Sequence, residues 1–266
     1  MGYWDRITLK TRAKAVLKNT YWMTFLALLI ISFLGANSNP SSSMSISAAS
    51  GIFSGVVSGM GTAITRGLGG SASTAGGIAI VSSIVFVVYA IVILFATAIS
   101  IFVGNVMQVG KCRYMTMCRY GEVDLGQLFF SFRNGQYWNT VKVMFFRDLQ
   151  VFLWSLLFII PGIIKAFEYW MVPYIIAENP NISKERALEI SSRTTNGEKW
   201  NIFVLGLSFI GWHLLGTFAG CGIGNVFVTP YVEATYAELY GALRYKAVMT
   251  GLCSRDEIGY ELFSPY

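Results

Sequence analysis

Residues 153–178 read LWSLLFIIPGIIKAFEYWMVPYIIAE. The stretch is apolar almost throughout, interrupted by Pro161-Gly162 and by Pro173, with Lys165 and Glu168 between the breaks. A soluble helix keeps one polar face for water, and this segment has none. Its breaks fall where a helix crossing a bilayer reaches the far side. The segment therefore predicts two membrane-crossing halves folded back at a Pro161-Gly162 turn whose tip faces outward.

Composition extends that reading to the whole chain. Of 266 residues 54% are apolar and only 13% charged, against about 25% charged in a soluble domain. The net charge of +6 is spread out, with no basic run of the kind that grips nucleic acid, so no nucleic-acid partner is expected. Cys112, Cys118, Cys221 and Cys253 lack CxxC or Cys-His spacing, which excludes a recognisable zinc site or disulfide framework. The single histidine, His213, lies in an apolar run, and no HExxH, P-loop or dinucleotide fingerprint occurs. No enzyme activity, cofactor or metal is expected.

The expected fold is all-α, a polytopic membrane bundle of about six transmembrane helices with interfacial amphipathic helices. Residues 1–20 form a basic segment in which Arg6, Lys10, Lys14 and Lys18 recur every four residues, one stripe suited to anionic lipid headgroups. Residues 21–246 form a single membrane domain with spans at 21–35, 78–109, 141–164, 166–177, 200–219 and 226–243. Within it, 36–77 is a Ser/Gly-rich external loop. Gly51, Gly55, Gly59, Ala63 and Gly67 form a small-residue stripe there, but glycine at this density disfavours a stable helix. A short amphipathic helix is expected near 124–132, and a polar helix over 183–196 with Ser183 as N-cap, a Glu189-Arg193 pair and Gly197 as terminator. Residues 247–266 make a cytoplasmic tail. With both termini inside, 18 of the 20 Lys and Arg fall on the cytoplasmic side, leaving Arg66 and Lys165 outside. That asymmetry sets the orientation of a multi-pass protein in the cell membrane.

Several phrases carry a family resemblance. They are LWSLLFIIPGI at 153–163, then Tyr169, Met171, Pro173 and Ile175, then ENP at 178–180. Ser183 and Ala187, Gly197-x-Lys199-Trp200, LSFIGW at 207–212, GIG at 222–224 and TPY at 229–231 continue it, with Val109-Gly110 upstream. On these the chain resembles the domain-of-unknown-function 975 family, over about 1–35 and 78–245. It departs at Gly206, where an acidic residue is common, and at 193–196, where a methionine-containing phrase is usual. The resemblance implies an integral membrane protein of bacterial, mainly Gram-positive, type, and implies no activity. A more distant similarity to the membrane domain attached to some glycerophosphodiesterases hints at lipids.

The titratable candidates inside the spans are Glu233, Glu238, His213, Arg147, Asp148 and Lys165. Glu233 and Glu238 are five residues apart, hence about 140° apart on a helix, and do not form one paired site. Intramembrane carboxylates are proton or cation sites by default. The structural reading has them paired separately, Glu233 with Lys165 and Glu238 with Arg147 or Arg244, and it outweighs the functional one. Arg147-Asp148 reads as an interfacial anchor and His213 as a hydrogen bond to a neighbouring helix. Gly216, Gly220 and Gly224 read as a close helix contact, and Tyr169, Trp170, Trp200 and Tyr231 as aromatic-belt residues. The expected role is binding of membrane lipids, anionic headgroups above all, or of a membrane partner or second copy, in envelope function or stress tolerance. The alternative is a small transporter or channel, proton-coupled through Glu233 and Glu238.

Overall fold

All regular structure among the described residues of this computed structural model is helical; those residues are 4–33, 72–133, 135–219 and 224–259. Contacts divide the chain into two units, Met1–Ala36 with Val103–Tyr266, and Asn37–Phe102. In the smaller unit, helix α2 (Ala72–Ile99) carries no charged residue. It begins inside the predicted 36–77 loop; the rest of that loop, with its glycine stripe, lies outside the described residues.

The larger unit opens with α1 (Arg6–Phe33). No break separates the basic segment 1–20 from the apolar one, because the Thr20 hydroxyl bonds back to the Val16 carbonyl within a continuous helix. A π-helical turn, Ser100–Gly104, precedes α3 (Asn105–Cys118), which is buried on nearly every side. The expected short helix near 124–132 is a 3-10 turn, Leu125–Phe129, running into one α turn, Phe130–Arg133. Asp124 starts it by accepting the Gly126 amide at 2.8 Å. Then follow α4 (Tyr137–Leu157), α5 (Ile159–Glu168), α6 (Val172–Glu178), α7 (Lys184–Thr195), α8 (Lys199–Ala219) and α9 (Gly224–Met249).

The opening stretch folds back, though not at Pro161-Gly162. The reversal is at Phe158, whose backbone is extended (φ −153°, ψ 139°) between α4 and α5. Pro161 sits in the first turn of α5, where its missing N–H has no intrahelical partner to lose. A Cβ on Gly162 would lie 2.6 Å from the Ser155 Cα, so this glycine lets the two arms touch. The expected span 166–177 is likewise two elements, broken at 169–171. All of α6 except Glu178 is buried against protein. Tyr169 and Trp170 are buried as well, which removes them from an aromatic belt, whereas Trp200 is exposed.

Among the described residues two helical stretches have the length and apolar character to cross a bilayer, Arg6–Ser32 and Lys199–Thr217; Ser83–Phe95 is a shorter apolar one. The expected glycine contact joins α8 to α9: a Cβ on Gly224 would lie 2.7 Å from the Gly216 Cα. Gly220 lies outside the described residues.

The predicted tail 247–266 is not separate from the fold at its start. Helix α9 runs to Met249, and the 3-10 turn Asp256–Ile258 follows, with Cys253 and Ile258 buried. Glu257 anchors it, accepting Arg186 Nε at 2.9 Å and Nη2 at 3.0 Å, and the Ser254 amide at 2.9 Å. Arg186 first, then the Ser254 amide, hold the Glu257 carboxyl below its usual range. A depressed carboxylate stabilises the docked turn above its unfolded pKa of about 4.3, and this is lost as pH falls through the lower folded value. Protection of amides 250–259 against hydrogen exchange, taken relative to the intrinsic rate at each pH, is therefore expected to fall on acidification below that range. In Glu257→Gln protection should be low already at neutral pH and nearly flat with pH.

Candidate functional site

The carboxylates singled out in the sequence are the rungs of a buried ladder between α3 and α9. Both helices are apolar around these positions, so each charge lies inside protein and needs an opposite charge nearby. Lys111 Nζ of α3 meets Glu233 Oε1 of α9 at 2.9 Å, with both side chains about 5% exposed. Two turns along α3, Arg119 takes Glu238 with both prongs, Nε to Oε1 at 2.8 Å and Nη2 to Oε2 at 3.3 Å. Gly241 makes room for that guanidinium: a Cβ there would stand 2.2 Å from Arg119 Nη1. The third rung joins α9 to α6. Arg244 is paired with Glu178, which also accepts the Tyr240 hydroxyl, and Arg244 Nη2 donates to the Tyr120 hydroxyl at 2.8 Å.

The expected separate pairing of Glu233 and Glu238 is therefore observed with other partners. Lys165 is tied instead to Glu168 at 2.7 Å, three residues along its own helix. Arg147 is tied to its neighbour Asp148 at 2.6 Å, with Asn105 of α3 donating to Asp148 at 2.9 Å. The ladder missed in the sequence consists of Lys111, Arg119, Glu178 and Tyr240. A usable signal was present: Lys111 and Arg119 sit among Val106, Met107, Val109, Cys112 and Met115, all buried, where an unpaired cation would be costly.

A second cluster gathers on Glu168. Its carboxylate accepts Lys165, Lys199 and the Ser192 hydroxyl, each at 2.7 Å, while its backbone carbonyl accepts Ser191 Oγ at 2.7 Å. One acid is thus shared by two lysines from α5 and α8, beside the N-terminal end of α8. Nearby, Lys246 reaches Glu198 at 3.2 Å.

The remaining predicted residues are dispersed. His213 Nδ1 lies 3.4 Å from the Asn225 amide oxygen of α9, the helix-to-helix contact expected of it. Lys10 is turned inward, donating to Ser208 at 2.8 Å and lying 4.7 Å over the Phe209 ring. Lys14 stands 5.8 Å over Tyr231, and Arg6, Lys14 and Lys18 are exposed. The basic stripe therefore reaches the surface at three of its four positions. Charges this well matched hold helices together.

No curated protein and no solved structure matches the chain. The segment from 156 to 247, which takes in α5 to α8 and most of α9, matches the model of the family described as protein of unknown function (DUF975).

Proposed function

We infer that this is a multi-pass protein of the cell membrane, with both termini cytoplasmic, which binds anionic lipid or a membrane partner and performs no catalysis. The observation that carries this is an inverted distribution of polarity. Lys111, Glu233 and Glu238 are 3–4% exposed, whereas Trp22, Leu156 and Ile160 are 73–74% exposed. Water favours the opposite arrangement, and hydrocarbon favours this one. Further support comes from α1 and α8, which have the length to cross, and from the uncharged run 67–110 that includes α2. Six crossings is the count the sequence supplies. The alternative, proton-coupled transport through Glu233 and Glu238, is disfavoured by the cation already seated on each carboxylate.

Headgroup binding would fall to Arg6, Lys14 and Lys18. Each basic residue near an anionic surface contributes roughly 1 kcal/mol. The triple change Arg6→Gln, Lys14→Gln, Lys18→Gln should thus weaken retention of phosphatidylglycerol on the purified protein by on the order of a hundredfold. Native mass spectrometry after exchange into phosphatidylcholine–phosphatidylglycerol nanodiscs would count the bound lipid. Equal retention by parent and triple variant would remove the headgroup assignment. Proton flux in liposomes, abolished by Glu233→Gln, would move the function to the alternative.

A further inference from the structure

The α4–α5 hairpin carries features that two membrane crossings do not explain. Between Asp148 and Lys165 the chain has no charge, and these residues, 149–164, include the Phe158 reversal. A single helical crossing takes about 20 apolar residues, so two crossings cannot be cut from this run. Beyond its last charge the α4 arm holds nine residues, 149–157, and the α5 arm six, 159–164, about 13 Å and 9 Å at 1.5 Å per residue, so both fit inside one half of a roughly 30 Å hydrocarbon core.

The charged end of α5 is fixed by its partners, and Lys165 there lies 5.7 Å over the Trp154 ring of α4. Lys165 and Glu168, at the base of α5, are joined to Lys199 at the start of α8 and to Ser192 of α7. Those elements belong to the basic, cytoplasmic side of the sequence. On α4, Arg147 and Asp148 stand one residue before the uncharged run. Each arm therefore ends in charge, with exposed Trp200 next to Lys199 at the α5 end, and the stretch between exposes Phe152, Leu156, Leu157, Phe158, Ile160 and Ile163.

Resting on the membrane reading above, we propose that α4 and α5 form a re-entrant hairpin whose apolar tip enters the cytoplasmic leaflet, packs against its acyl chains and returns to the same face. Acyl chains are the occupant because both arms fit within one leaflet and the two lysines sharing Glu168 leave a net positive charge at the α5 end to match anionic headgroups. Sidedness agrees: with Lys165 on the cytoplasmic face, 19 of the 20 Lys and Arg lie inside rather than 18. The α4 and α5 arms then supply no crossing, and of the six expected spans four remain, 21–35, 78–109, 200–219 and 226–243.

The test is cysteine labelling of Ile160→Cys and, separately, Ile163→Cys in sealed membrane vesicles of both orientations, each measured against the parent chain. A membrane-impermeant maleimide should label either position roughly tenfold more slowly from both faces than after detergent, since water that carries the reagent is excluded from the core. A permeant maleimide should label both. Fast labelling of both from the external face would mean a crossing hairpin and overturn the proposal. Disulfide-linked dimers through Ile160→Cys would mean that a second copy covers the tip, and would overturn it too. Extraction of the parent chain by alkaline carbonate would instead sink the membrane reading itself, an outcome distinct from either.

Discussion

Lys111→Met is expected to destabilise the protein by about 3–5 kcal/mol, the usual cost of leaving one member of a buried ion pair alone. Glu233 has no second cation recorded at its carboxylate, and the site is nearly closed to water. The lone carboxylate must then take up a proton or force α9 away from α3. In thermal denaturation of detergent-solubilised protein the midpoint should fall by on the order of 10 °C. Adding Glu233→Leu to Lys111→Met should restore most of the loss, because a pair of apolar side chains in such a place is often neutral or better. A single variant as stable as the parent would show that the rung carries no structural weight, and would reopen Glu233 as a functional acid.

The second large effect is expected at Gly110. A Cβ added there would lie 1.9 Å from the Leu128 carbonyl oxygen and 2.7 Å from its carbon. Both atoms are backbone, so no rotamer change relieves the clash. In Gly110→Ala the 3-10 turn must lift from α3, exposing Leu128 and parting Arg113 Nε from Gln127 Oε1, now 2.9 Å apart. Overpacking in a fixed interior costs typically 1–3 kcal/mol, and a clash with backbone belongs at or beyond the upper end. Proteolysis between 120 and 136 should accelerate sharply at neutral pH. Gly211→Ala supplies the contrast: no atom lies within 4 Å of a Cβ there, and in mid-helix the exchange should stabilise by roughly 0.5–1 kcal/mol. Equal behaviour of the two variants would rule out the close contact.

Features written in neighbouring residues were legible from the chain alone. Ser183 caps α7 by accepting the Arg186 amide, Glu189 pairs with Arg193 at 2.9 Å, and Gly197 takes a positive φ of 82°. Each depends on residues three or four apart, where helix geometry fixes who meets whom. The glycine contact between α8 and α9 was legible for a related reason, since a short link forces adjacent helices together. Partners of Glu233 and Glu238 were not legible. Spacing along α9 says which way each acid points, but Lys111 and Arg119 are 122 and 119 residues away. Charge counting assigned both cations to the cytoplasm because it weighs sidedness alone and ignores a helix buried inside the bundle. The turn at Phe158 was hidden by Pro161-Gly162, a pair that ordinarily ends a helix but here opens one.

The ladder also has an order in time. Lys111 and Arg119 are synthesised more than a hundred residues before the acids that neutralise them, and Glu178 before Arg244. During that interval Lys111 and Arg119 lack the acids that later neutralise them, and burying them would be prohibitive. Both must wait at the water's edge, and α9 completes all three rungs on arrival. A chain halted before residue 233 would have most of its helices and no means of closing them. Such a fragment is a natural substrate for quality-control proteolysis until α9 closes the ladder.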